Sequence, residues 1–410
     1  MANMTLSTRD SGHGASASPW KAVLWVIWLI LMVTGLIGVF QRFGSGHLAA
    51  GYGSYVPWGL WIGLYFLGVG ISGGSFIIGA VGYIFGVPGF SRPSELRIAI
   101  VLSLAALIPA FIGVALDLGR TERLIKVLTS PTFTSMMAFN AWMYNIFIVV
   151  AAVSWLLTFK VNSSWLKPLL IFGAFLSILF PSQSGVFFEA VRTNEFWHSP
   201  ILSVLFLASA IALGAAGLIL VRALLWHESA SRSAYDNAVR WLRTVAIVAI
   251  LVYLAFEFAE FSIVLWNPGQ HSPSVDFLLF GDYRQVFWIL HLLVGALIPL
   301  ALFATNHRGL WVIGALLTGL GFAAARMCIL VPGQIAGHIP GLQQAFQDAR
   351  LTYSYHPTSM EYLIGFFMVA VGMAIFYLGI RLGRTFASSP EHGYGDSIEQ
   401  NTGLQTGTAA

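Results

Sequence analysis

Ten runs of about twenty apolar residues, each long enough to cross a bilayer as a helix, decide what this chain can fold into. They cover roughly residues 21–40, 56–85, 97–118, 138–159, 165–182, 199–224, 242–266, 285–305, 309–331 and 359–382. A helix satisfies its backbone N–H and C=O groups within one segment, which lipid demands. A membrane barrel would instead show short segments of alternating polarity. Composition agrees: 57% of the 410 residues are hydrophobic and only 9% charged, against about 25% charged in a soluble domain. The expectation is an all-α polytopic membrane protein. Its polar N-terminal tail covers 1–20, its transmembrane domain 21–385 and its polar C-terminal tail 386–410. The first twenty residues lack the early apolar core of a cleavable signal peptide.

Composition also excludes several functions. The net charge of +4 reflects Lys and Arg retained in cytoplasmic loops, so no nucleic-acid partner is read from it. The single cysteine, Cys328, lies in an apolar run. An iron–sulfur cluster needs about four thiolates, and one cysteine allows no internal disulfide. Only His291 stands clearly within a helix, so a haem held by two histidines is not expected. The chain is expected to carry neither haem nor iron–sulfur cluster.

The loops set an orientation. With a cytoplasmic N-terminus, the inner side holds roughly 13 of the Lys and Arg residues and the outer side roughly 7, Arg326 being left in the membrane. The bias places both termini inside. The long loops then fall outside, where a site or a partner surface is expected. The inner loops are short, the longest being WHESASRSAYDNAVRW. The second and sixth helices each show a proline at the outer end, then aromatics, then small residues. This suggests a parallel repeat of two four-helix bundles flanked by the first and last helices. Pro181 to Gly185 is expected to interrupt the fifth helix near its outer end.

Ionisable side chains at membrane depth cost roughly 2.5–3.5 kcal/mol each on insertion scales. Here Glu257 and Glu260 share one helical face, His291 follows in the next helix, Arg326 in the one after, and Glu361 opens the last. All five fall in the outer half of the membrane. They read either as an ion-pair network fixing helix register or as a site for proton-coupled chemistry, the reading preferred here. Asp117 ends the third helix, where Gly119 would free it to pair with Arg120. Trp58 follows Pro57 at the outer interface, and His198 precedes the sixth helix.

The chain carries, in order, Pro57-Trp58-Gly59, Leu116-Asp117-Leu118-Gly119-Arg120, Ser182-Gln183-Ser184-Gly185, Trp197-His198-Ser199-Pro200, Phe258-Ala259-Glu260, Arg326 and Tyr355 to Glu361. With these it resembles the NrfD/PsrC family of membrane subunits of polysulfide-reductase-like complexes. Within the family it looks closest to the ten-helix branch that includes DsrP, QrcD and HybB. The matching stretches run from about residue 55 to 361. Departures from the pattern are Phe180-Pro181 where several members have a histidine, Glu257 where HybB-type chains have Arg, and Leu290 where those chains have an acid. Cys328 also stands where Asn is usual.

The resemblance implies two four-helix bundles plus extra helices. It implies a quinone, menaquinone or ubiquinone, bound near the outer face of a bacterial inner membrane. A periplasmic iron–sulfur, ferredoxin-like subunit and further redox subunits would exchange electrons with that quinone pool. The chain would be a non-autonomous subunit of a quinone oxidoreductase complex, of the sulfur-metabolism Dsr type or the menaquinone-reductase type. Alternatives are a HybB-type hydrogenase subunit and, from the charge cluster and repeat alone, a secondary transporter or ion channel. Glu260, with Glu257 or Asp117, would handle protons. His291 or His198 would bond a headgroup oxygen. Arg326 would hold the carboxylates ionised. Trp58, Arg120, Gln183, His198 and Glu361 complete the expected binding set.

Overall fold

The computed structural model describes residues 19–132, 134–160, 163–225, 232–266, 272–335, 341, 345 and 353–387. The polar tails expected over 1–20 and 386–410 lie almost wholly outside these residues. Among the described residues all regular structure is helical: α1 (Pro19–Ser45), α2 (Leu60–Ile84), α3 (Pro93–Asp117), a 3₁₀ turn (Thr121–Arg123), α4 (Leu124–Thr129), α5 (Met136–Leu157), α6 (Leu166–Glu189) and α7 (Ile201–Leu224). Then come α8 (Arg232–Trp266), α9 (Ser272–Leu279), a π-helical segment (Val286–Leu297) running into α10 (Ile298–Ala304), α11 (Arg308–Leu330), α12 (Pro332–Ile335) and α13 (Ser359–Ala387). Among the described residues ten helices are long and apolar enough to cross a membrane, which makes this a multi-pass membrane protein.

α2, α3, α5 and α6 pack as one bundle; α7, α8, the π segment with α10, and α11 pack as a second. α1 and α13 lie against each other and, through α13, on α3. The bundles meet where α2 crosses α7. That crossing has no room for side chains: a methyl on Gly74 would run into the Ala210 carbonyl and stand 3.0 Å from the Gly214 Cα. Small residues allow this approach, which gives dispersion contacts where lipid supplies no hydrophobic drive. Gly74 and Gly214 come from the small-residue stretches of the two expected repeats.

Each bundle is filled by aromatic rings. In the first, Phe147 packs between Phe76 and Phe180, with ring centroids 5.1 and 4.9 Å away, and all three are fully buried. In the second, Phe303 and Trp311 are buried below the charged residues.

Two expectations are corrected. α6 is not interrupted at Pro181 but runs on to Glu189. Proline removes one helical N–H, the one that would reach the Ser177 carbonyl, and the intact turns on either side carry the helix through that single loss. The long inner loop is shorter than its sequence suggested. α8 starts at Arg232, and its polar first turns are held by Asp236 to Arg308 at 2.5 Å and by Arg240 to Asn237 at 2.8 Å.

Candidate functional site

Side-chain bonds show that one face of the molecule gathers the ends of α1, α3, α6, α8 and α11 and the starts of α2, α7, the π segment and α13. Trp197 at the start of α7 donates to Ile329 near the end of α11, at 2.9 Å. Leu60 at the start of α2 donates to Glu361 at the start of α13, at 3.2 Å. The ionisable residues in question lie toward this loop-rich face, in two groups.

The first group is in the second bundle. His291 is fully buried, and its Nε2 donates to both carboxylate oxygens of Glu257, at 2.8 and 3.0 Å. The Tyr253 hydroxyl, one turn back on α8, donates to the same carboxylate at 3.1 Å. Tyr253, Phe287 and Phe322 pack round the imidazole, with ring centroids 5.6 to 5.8 Å from it. Among the described residues His291 Nδ1 has no partner. A buried polar atom left over in this way calls for a water or a ligand. His291 is carried on the π segment, a rare geometry that recurs at functional sites.

Arg326 lies deep in the same bundle. Among the described residues it makes no ion pair with the acids. Its Nη2 donates to Ser209 Oγ at 2.5 Å, and its guanidinium lies 4.0 Å from the Phe206 ring centroid, a cation–π arrangement. Gly70 of α2 lies beside it: a methyl there would stand 3.5 Å from Nη2, in ordinary van der Waals contact. Arg326 Nε and Nη1 have no partner among the described residues. Arg326, expected to hold the carboxylates ionised, makes no direct bond to them among the described residues. Its berth is formed by α7 and α2, while Tyr253 lies within electrostatic reach of both Arg326 and Glu257. Glu260, one turn from Glu257 toward the loops, accepts from Ser199 Oγ at 2.7 Å.

The second group lies where α1, α2, α3 and α13 end or begin. Glu361 is fully buried. It accepts from the backbone of Gly51 at 2.8 Å, Leu60 at 3.2 Å and Thr358 at 3.3 Å, and from the Tyr355 hydroxyl at 2.5 Å. These donors tie two loops to one carboxylate. Arg42 closes the end of α3, donating to the carbonyls of Leu116 and Leu118 at 2.7 and 2.9 Å. Its Nη2 also meets His47 Nε2 at 2.5 Å. A guanidinium only donates, so Nε2 accepts and the imidazole proton sits on Nδ1, which faces the Tyr52 hydroxyl. Burial, and then the Arg42 charge, push the His47 pKa below its usual 6.5. Burial pushes the Tyr52 and Tyr355 hydroxyls well up, so both stay protonated. Asp117 ends α3 beside this group, with Oδ1 unpartnered among the described residues. Arg120 is exposed and forms no ion pair with Asp117, because Arg42 already occupies that helix end.

The remaining expected residues are spread between the groups. Trp58 stacks on Trp197 at 6.1 Å and is held through its backbone by Gln334, at 2.9 and 3.0 Å. Gln183 sits on α6 with Oε1 buried and unpartnered among the described residues. His198 is exposed, and its Nδ1 donates to the Glu189 carbonyl at 2.7 Å. Sequence reasoning missed Tyr253, Ser209, Phe206, His47 and Tyr52. The Tyr253 and Glu257 spacing of one turn was a usable signal; the others depend on contacts between distant helices. Among the described residues, no cluster of side chains fits a metal ion.

A family model described as "Polysulphide reductase, NrfD" matches residues 49–337. A selenate reductase subunit from Mesobacillus selenatarsenatis is 25% identical, over 90% of this chain and 96% of that protein. The Hdr-like menaquinol oxidoreductase integral membrane subunit from Archaeoglobus fulgidus is 27% identical, over 85% and 89%. Protein NrfD from Escherichia coli is 24% identical, over 68% and 95%. The matched segment holds both four-helix bundles, while the whole of α1 and the whole of α13 lie outside it.

Proposed function

The chain belongs to the NrfD polysulphide-reductase family of membrane proteins, and on that premise we propose that it is the quinone-interacting membrane subunit of a redox complex. It lies in the bacterial cytoplasmic membrane with both termini inside and the loop-rich face outside. On that face a periplasmic iron–sulfur subunit, with further redox subunits, exchanges electrons with the quinone pool. The name of the Archaeoglobus relative favours menaquinone over ubiquinone. The relatives are named for different reactions, so the terminal substrate is a property of the partner subunits. A sulfur-metabolism or menaquinone-reductase type of assembly is the finer form of this reading.

The observation that carries the proposal is the buried Glu257–His291–Tyr253 arrangement in the half of the membrane nearest the loops. A quinol becoming a quinone gives up two electrons and two protons, and the reverse reaction takes them up. A headgroup needs hydrogen-bond partners at its oxygens and an acid/base group beside them. Glu257 and His291 supply a carboxylate, an imidazole and an unused ring nitrogen. Glu260, bonded to Ser199 one turn nearer the loops, passes protons on toward the outer surface. Arg326 offsets the buried negative charge from α11. Asp117 and Glu361 belong to the wall of loops over the first bundle. Trp58, Gln183, Arg120 and His198 lie around the same face, where the partner and the headgroup come closest.

The test uses the assembled complex. Glu257→Gln and His291→Phe should each lower quinol-linked electron transfer about 100-fold, the usual scale of a lost acid/base group, with assembly retained. Near-normal rates in both would remove the pair from the site. Purification without any iron–sulfur subunit would remove the proposed partner.

A further inference from the structure

In the second bundle three of the four helix seams bring backbones close together, although the α7–α8 seam leaves an open apolar cavity of about 300 Å³ between Ala208 and Ile211 on one side and Val248 and Val252 on the other. α7 packs along α8 and along α11, and α11 packs along the π segment, where Gly295 and Gly321 touch: a methyl on Gly295 would lie 2.6 Å from the Gly321 Cα. The fourth seam differs. α8 touches α10 in the half away from the loops, but α8 and the π segment meet chiefly through side chains. The contacts that bridge them include the Glu257–His291 bond, the Tyr253 ring against His291 at 5.6 Å, and Phe261 edge-on to Phe287 at 5.3 Å. The helices on either side turn large apolar groups outward, among them Phe258, Trp288 and Leu290. The seam therefore opens to lipid, not to water.

We propose that this seam is the lateral doorway through which the quinone ring enters from the bilayer, with the Glu257–His291 hydrogen bond as its latch. The inference rests on the quinone reading above and adds the route and the position. Long side chains close the seam, and these can swing without unpacking backbone. Opening the latch exposes a carboxylate that accepts from a quinol hydroxyl and an imidazole N–H that donates to a quinone carbonyl, so the ring replaces the bond it breaks. The π register supplies the movement. Winding its wide turns toward α geometry turns His291 about the helix axis and withdraws it from Glu257.

The test locks the seam at Phe261 and Phe287, which lie beside the latch. Phe261→Cys and Phe287→Cys are combined in a Cys328→Ser background and joined by a reversible bis-methanethiosulfonate linker, which spans the space the two rings fill. Binding of a short-tailed naphthoquinone to the purified complex is followed by quenching of tryptophan fluorescence. The linked protein should bind at least tenfold more slowly, and dithiothreitol should restore the rate. Equal rates before and after linking would overturn the doorway. Absence of binding in both states would overturn the quinone reading and the doorway with it. In the unaltered complex, the same naphthoquinone should slow hydrogen–deuterium exchange across Val286–Leu297. Unchanged exchange there, with binding demonstrated, would also overturn the doorway.

Discussion

Glu257 and Glu361 are both buried carboxylates, and their surroundings assign them different roles. Glu361 is surrounded by donors that never leave: three backbone N–H groups and the Tyr355 hydroxyl. It is a clamp. Glu257 faces another ionisable group across a seam, and that bond can be exchanged for a ligand. Glu361→Gln replaces one oxygen with an amide that opposes those donors. It should cost about 2–3 kcal/mol, the scale of hydrogen bonds to a charged group, read as a lower midpoint of unfolding in detergent. Electron-transfer rates per folded molecule should change little. The sequence showed that both acids were too deep to be ordinary surface charges. It did not show which was clamped, because the deciding donors come from Gly51 and Leu60, some three hundred residues away in the chain. Arg326 repeats the lesson. Its depth was legible, but its berth on Ser209, Phe206 and Gly70 was not.

At the scale of elements, length and hydropathy gave all ten crossings because each run must bury its own backbone in lipid. Winding was a different matter. The stretch FWILHLLVG is apolar in every direction, so it carries no periodicity from which to tell a π from an α register. Pro181 misled for the opposite reason: it is a local signal of a break, but one lost hydrogen bond does not end a helix whose flanking turns are packed on their neighbours. The contact between Gly295 and Gly321 is the fixed point about which the π segment is positioned. Gly295→Leu should destabilise the fold by about 1–3 kcal/mol, as overpacking does. Naphthoquinone affinity of the folded fraction should fall as well, because His291 is one turn away. A variant that unfolds earlier yet binds normally would separate the fixed point from the site.

For the molecule as a whole, the matched family segment begins after the end of α1 and ends before α13. Those two helices, packed on each other, flank the two bundles. Loop charge was the only guide to orientation in the sequence, and the exposed Arg120, Arg123 and Lys126 weakened it by standing on the face assigned to the outside. A chain with one native cysteine makes the orientation easy to check. In a Cys328→Ser background, Arg123→Cys should react with a membrane-impermeant maleimide in intact cells, and Lys160→Cys only after lysis. The reverse pattern would invert the topology. The packed rings of Phe76, Phe147 and Phe180, with Phe303 and Trp311 in the other bundle, bear on bioenergetics. If electrons and protons are both exchanged on the loop-rich side of these rings, each turnover moves no net charge through the bilayer dielectric. Moving one charge against about 100 mV requires about 2.3 kcal/mol. Quinol oxidation in proteoliposomes should therefore proceed at the same rate with and without a potassium diffusion potential of about 100 mV, and slowing by the potential would mean that charge crosses the aromatic layer.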